Sequence, residues 1–299
     1  MLLVALASIS WGTIGVAVDV LYGIEETNAV SVGFLRMAVS VPALLLLSRR
    51  FAGPGFLQVE RRDVGTMVMI ATAFAGYQVF YFAAIPLIGV AAAVMVNICS
   101  APILIPILSG IFLRERITSV VWAVLLIAIL GTVLLVGGSP EADTPQALLG
   151  GAALALGAGF MYSLVALGAR RVASRYHPVQ PVAIAFTLGT LLLFPFALGQ
   201  GLALRYSMPG WLLLLYLGLV PTVLAYALYF WGLRSTPATF AAIIALLEPL
   251  ISSVLAVAFL GERLPPTAVT GGSLLLGSII FLYASQAREA RRASLQTTG

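Results

Sequence analysis

The segment "EPLISSVLAVAFLGERLP", Glu248 to Pro265, reads as an apolar helix with a glutamate and a proline near its start and a Glu-Arg pair at its end. A second segment, "APILIPILSGIFLRERIT", Ala101 to Thr118, aligns with it at an offset of 147 residues. Pro102 falls on Pro249, Leu108 on Leu255, and Phe112-Leu113 on Phe259-Leu260. Glu115-Arg116 falls on Glu262-Arg263, and upstream Tyr81-Phe82 matches Tyr229-Phe230 with one residue of slip. Proline and paired Glu-Arg are not generic lipid-facing residues. The match therefore points to an internal duplication rather than to the shared oiliness of apolar helices.

Composition sets the solvent in which this duplication folds. Of 299 residues, 61% are hydrophobic and 9% charged, with mean hydropathy +1.07. Soluble domains carry roughly 25% charged residues, so this chain cannot coat a water-facing surface. Its apolar runs are continuous, which selects helices over the alternating strands of a barrel. A bilayer core about 30 Å thick needs about 20 apolar residues per crossing. Ten spans are expected, near 2–21, 29–48, 64–85, 89–112, 118–137, 148–170, 177–198, 210–231, 238–260 and 267–286. The first lacks a basic leader and a small-x-small cleavage site, so it is expected to stay as a helix rather than leave as a signal peptide.

All basic residues are arginine, and their placement predicts orientation. With the N-terminus cytoplasmic, thirteen of them, from Arg49 to Arg292, fall on inside segments, and only Arg205 and Arg263 fall outside. Glu25, Glu26, Glu141 and Asp143 also fall outside. The expectation is a multi-pass protein of the cell inner (plasma) membrane with both termini cytoplasmic. Five helices per half is an odd number, so the second half enters the bilayer upside down relative to the first. The expected fold class is thus all-α integral membrane, with ten transmembrane helices as two inverted five-helix repeats. Residues 1–137 form the first repeat, 138–147 a linker, 148–287 the second repeat and 288–299 a cytoplasmic tail. Such inverted repeats are a common transporter architecture with a midplane site between the halves.

With those residues set out, the chain resembles a known family. Trp11-Gly12, Arg36 in the second helix, Glu248-Pro249 and "GERL" at Gly261 to Leu264 are similar to the EamA branch of the drug/metabolite transporter superfamily. "MVN" at Met95 to Asn97, followed by Pro102, is similar to the YddG-type amino-acid exporters of that branch. The resemblance implies a secondary transporter whose third, fourth, eighth and ninth helices surround a central cavity. It also implies amino acids as cargo and export as direction. Two departures stand out. Arg114 replaces a glycine of the second half and of most relatives, and Ala101 stands where the second half has Glu248.

Glu248 lies about ten residues from either end of its span, where a carboxylate is costly unless it is neutral, paired or facing water. It is a candidate for binding a proton or a substrate ammonium, or for satisfying backbone groups freed by Pro249. Tyr77 and Tyr81 share one helix face, and Tyr226 and Phe230 repeat that spacing. Aromatic rings of this kind suit the walls of an amphipathic-solute pocket. Asn97 and Tyr162 complete the candidate substrate-binding set, with Ser163 a weaker candidate. Pro102 and Pro249, at matched positions, are candidate hinges. Trp11-Gly12 reads as close helix packing, Arg36 as a side chain that snorkels or pairs, and Asp19 as interfacial. Glu115-Arg116 and Glu262-Arg263 end matching helices at opposite faces and read as solvated helix ends, with locks on alternate gates as the other reading.

Several function classes are disfavoured. No Gly-rich loop with lysine exists, since the chain has no lysine, so a nucleotide motor is not encoded. Cys99 and His177 are single residues, which leaves no disulfide, no metal set and no intramembrane catalytic pair. No cofactor is expected. The net charge of +5 is spread over membrane-flanking arginines and forms no nucleic-acid surface. The expected partners are the lipid bilayer and a small-molecule substrate, amino acids first, with sugars, nucleotide-sugars or cationic drugs as alternatives. Proton coupling and facilitated diffusion both stay open.

Overall fold

A computed structural model of the chain describes residues 1–88, 90–115, 117–136, 144–260 and 265–297, with side chains described at these except 90–92, 136, 260, 283 and 285–297. Among the described residues there is no strand. The helices are α1 (Leu2–Ile24), α2 (Ala29–Ala52), α3 (Arg61–Ile88), α4 (Val90–Phe112) and α5 (Ser119–Val136). They continue as α6 (Pro145–Val172), α7 (Val179–Gly199), α8 (Met208–Gly232), α9 (Ala238–Phe259) and α10 (Pro266–Thr297).

Among the described residues, eight helices are long and apolar enough to cross a membrane: α1 to α4 and α6 to α9. The chain is a multi-pass membrane protein. Of the ten expected spans, eight meet the length and hydropathy of a crossing among the described residues. Helices α5 and α10 occupy the two other expected positions, but their apolar stretches, Ser119–Leu135 and Pro266–Leu282, are shorter. The segments 137–143 and 261–264 lie outside the described residues. So do Arg116, most of the expected linker 138–147, the "GERL" motif and the Glu262-Arg263 pair.

Local chemistry starts the helices where the sequence changes character. Asn28 accepts from Ser31 N at 2.8 Å before α2, and Thr144 accepts from Ala147 N at 3.1 Å before Pro145 opens α6. Ser207 does the same for Gly210 N ahead of α8. These caps satisfy backbone donors that have no partner inside the helix.

Several of the helix pairings exchange when each helix is replaced by the one five places along. Helix α3 packs on α6 as α1 packs on α8, α4 on α6 as α1 on α9, and α3 on α7 as α2 on α8. The pairs α2–α7, α4–α9 and α5–α10 map onto themselves. The last of these is a backbone-to-backbone crossing. A Cβ on Gly131 would lie 2.7 Å from the Gly271 carbonyl oxygen and 2.7 Å from Leu275 N. Small residues let helices approach this closely in lipid, where apolar burial supplies no driving force.

One end of the bundle is closed by polar contacts. The Met1 amine donates to Thr236 Oγ1 at 2.9 Å. Arg170 pairs with Glu115 at 3.4 Å and donates to the Leu233 and Arg234 carbonyls. Glu115 in turn accepts from Ala238 N at 3.2 Å, at the first turn of α9. Its side chain is only 15% exposed, so the expectation of a solvated helix end fails for Glu115. The carboxylate ties α4, α6 and α9 together instead.

Candidate functional site

Above the closed end lies an apolar plug of Ala101, Ile105, Ala166, Leu167, Ala238 and Ala242, drawn from α4, α6 and α9. A cavity of about 760 Å³ begins at this plug. It rises past Arg36 and Glu248 to Asp19, Tyr22, Pro265 and Thr267, which are exposed. It is therefore open at the end of the bundle away from Met1.

Most of the residues singled out in the sequence meet here. Tyr77, Tyr81, Asn97, Pro102, Tyr162, Glu248 and Pro249 all line the cavity. Asn97 Nδ2 donates to Tyr77 Oη at 3.4 Å, and Asn97 Oδ1 is buried without a partner. Tyr77 stacks on Tyr81 with ring centres 6.0 Å apart and planes 7° from parallel. Tyr162 approaches Tyr77 from α6 at 6.0 Å. The walls thus combine flat aromatic faces with a few polar atoms, the usual build of a small-molecule pocket.

Tyr226 and Phe230 lie elsewhere. Tyr226 packs on Trp11, Phe74 and Phe186, each with ring centres 5.1 Å away. Phe230 is fully buried in the same core. The cause is local to α8. Pro221 has no N–H for the Leu217 carbonyl four residues back, so the chain widens into a π-helical turn over Leu219–Leu224. The Thr222 hydroxyl donates to that carbonyl at 2.7 Å. The wider turn changes the phase of everything after it. The same i,i+4 aromatic spacing then faces the core rather than the cavity. Ser163 is likewise buried, donating to the Gly159 carbonyl at 2.7 Å.

The prolines at matched positions behave differently. Helix α9 is interrupted at Leu246, just ahead of Pro249, whereas α4 runs without interruption through Pro102. A proline ring clashes with the carbonyl four residues earlier, and in α9 the backbone opens there. Gly12 of α1 sits against this region. A Cβ on Gly12 would lie 2.6 Å from Ile251 Cβ and 3.0 Å from the Glu248 carbonyl oxygen. Close packing explains Gly12, as expected, while its neighbour Trp11 also lines the cavity.

Sequence reasoning missed Arg36. It lines the cavity, makes no side-chain hydrogen bond or ion pair among the described residues, and its Nε is buried without a partner. Gln78 was missed as well. The signal for Arg36 was its place within a span, where an ionisable side chain marks a functional site by default. Asp19 is exposed and stands at the cavity mouth. Among the described residues no cluster of His, Cys, Asp and Glu has the makings of a metal site.

Comparison with known proteins agrees with this architecture. The chain is 29% identical over 291 residues to an uncharacterized transporter, YwfM, of Bacillus subtilis, covering 96% of this chain and 95% of that one. It is 27% identical over 302 residues to an uncharacterized inner membrane transporter, YicL, of Salmonella typhimurium, covering 98% of each. A solved crystal structure superposes with a TM-score of 0.80 at 20% identity, over 96% of this chain and 97% of that one, which speaks to the fold alone. The sequence model of the EamA-like transporter family matches residues 1–137 and again 149–284. Matched in this way over nearly its whole length, the chain belongs to the EamA-like transporter family.

Proposed function

We propose that this protein is a secondary transporter that exports small amphipathic metabolites, amino acids first, by alternating access through the cavity between α1, α2, α3, α4 and α9. The carrying observation is that cavity: about 760 Å³, open at one end, with the apolar cluster around Ala101, Ile105 and Ala242 and the Glu115–Arg170 contacts at the other. Seven of the candidate residues converge on it. The likeness to YddG-type exporters supplies the cargo and the direction.

The architecture in this proposal is ten crossings as two inverted five-helix repeats, with both termini cytoplasmic in the cell inner membrane. Helix pairings that exchange under a five-helix shift support the repeat. So does a family model that matches each half separately. The arginine asymmetry supports the orientation. In that orientation the open end faces outward, and the Glu115–Arg170 end is the closed cytoplasmic gate. Rocking of the halves about the midplane would exchange the two ends. The test is solute flux in liposomes containing the purified protein alone. The panel is amino acids, sugars and cationic dyes, with and without a proton gradient. Amino-acid flux is the expected result. Absence of flux for every solute would end the transport reading.

A further inference from the structure

Two side chains that carry opposite charges when ionised line the same cavity, and among the described residues neither has an ion-pair partner. Arg36 comes from α2 and Glu248 from the interrupted middle of α9. Among the described residues neither side chain forms a hydrogen bond, and the ion pairs join other groups. The Arg36 charge is near enough to act on the Glu248 carboxylate, yet the two are not within the 4.0 Å of an ion pair. Their helices are held by other partners, α2 by α7 and α8, and α9 by α1 and α4. Both charges are only partly exposed, at a membrane depth where an unpaired charge is costly. Arg36 Nε and Asn97 Oδ1 add buried polar atoms without partners in the same wall.

We infer that Arg36 and Glu248 form a two-point receptor for a zwitterion, Arg36 taking a carboxylate and Glu248 an ammonium carried on the same small molecule. This rests on the transport reading above and narrows its substrate class. A planar guanidinium suits a carboxylate because it donates in a fork. A solute bearing only a cation meets repulsion from Arg36, and one bearing only an anion meets it from Glu248. A neutral sugar leaves both charges uncompensated. A ligand carrying both charges on neighbouring atoms satisfies both at once, and the stacked Tyr77 and Tyr81 offer its side chain a flat apolar face.

The test is competition in liposomes. Counterflow is measured for phenylalanine, leucine and threonine. The fastest is then competed with its own amide, which lacks the carboxylate, and its N-acetyl form, which lacks the ammonium. A lost charge-assisted contact corresponds to about 10- to 100-fold in affinity. Both analogues should therefore compete that much more weakly than the amino acid on the wild-type protein. In Arg36→Gln the amino acid and its amide should compete equally. In Glu248→Gln the amino acid and its N-acetyl form should do so. Arg36→Lys should keep part of the preference for the carboxylate. If a variant fails to fold, wild-type competition alone decides.

The inference is overturned if either analogue competes as well as the amino acid on wild type. It is overturned equally if Arg36→Gln keeps its preference for a carboxylate. Flux of a sugar or a dye with none for the three amino acids would also overturn it while leaving the transport reading intact. No flux for any solute would remove the transport reading itself.

Discussion

Asp63 is 1% exposed at the start of α3, bound to Arg175 at 2.7 Å and to the Tyr176 hydroxyl at 2.9 Å. Removing one member of a buried pair strands the other, and here the 27% exposure of Arg175 softens the loss. Asp63→Asn should lower stability by about 2 kcal/mol, seen as an earlier thermal transition in detergent; an unchanged transition would show that the pair is dispensable. His177, in the α6–α7 connection, stacks on Phe51 with ring centres 5.5 Å apart. Burial, and then the Arg234 charge, hold its pKa below the ordinary 6.5. The folded protein therefore binds fewer protons than the unfolded chain below that value. Stability should fall as pH drops through about 6.5 and be insensitive to His177 above it. Thermal transitions at a series of pH values should show that slope flattened in His177→Gln. At this scale the sequence singled out Tyr77, Tyr81, Asn97, Tyr162 and Glu248 by spacing, by polarity within a span and by family resemblance, and all five line one cavity. It misjudged Tyr226 because spacing says which residues share a helix face, not where that face points.

Helices α5 and α10 offer a contrasting pair of glycine substitutions. Gly131→Leu would press a side chain against the α10 backbone, which cannot rotate away as a side chain can. About 3 kcal/mol or more of destabilisation is expected. Gly277 has nothing within 4 Å of where a Cβ would sit, so Gly277→Ala should stay within about 0.5 kcal/mol of wild type. Comparable transitions for both variants would mean that the α5–α10 crossing does not depend on glycine. The hinge expectation now separates its two prolines. Pro249→Ala restores a backbone donor where α9 is broken and should slow transport about tenfold. Pro102→Ala, in an unbroken helix, should change it less than about twofold. Equal effects would mean that the break in α9 is not the moving part. The prolines were legible in the sequence. The break was not, because a proline kinks its helix only where neighbours leave the freed backbone room to open.

The whole molecule has one open end and one closed end, and each makes a statement about sidedness. In a Cys99→Ser background, Glu115→Cys should react with reagents applied from the cytoplasmic side and Glu262→Cys with those applied from outside. Labelling of both from one side would refute the inverted arrangement and the gate assignment together. Arginine placement along the chain is enough to predict this sidedness, because topology is imposed as the chain is inserted. The closed state of the Glu115–Arg170 end is a property of the folded molecule alone. It needs α4, α6 and α9 to converge, and residues far apart along the chain carry no local mark of one another.

The sequence by itself determined that the chain lives in lipid, that it is helical and that a segment of each half aligns with the other. Hydropathy, span length and an aligned repeat are local or periodic quantities, and the bilayer converts them directly into structure. The tertiary structure alone decided which faces of those helices look inward. Helix rotation is set by packing, by the π-helical turn in α8 and by the break in α9, none of which a helical period of about 3.6 residues encodes. That rotation sends Tyr226 into the core and leaves Arg36 unpaired beside Glu248 in an open cavity.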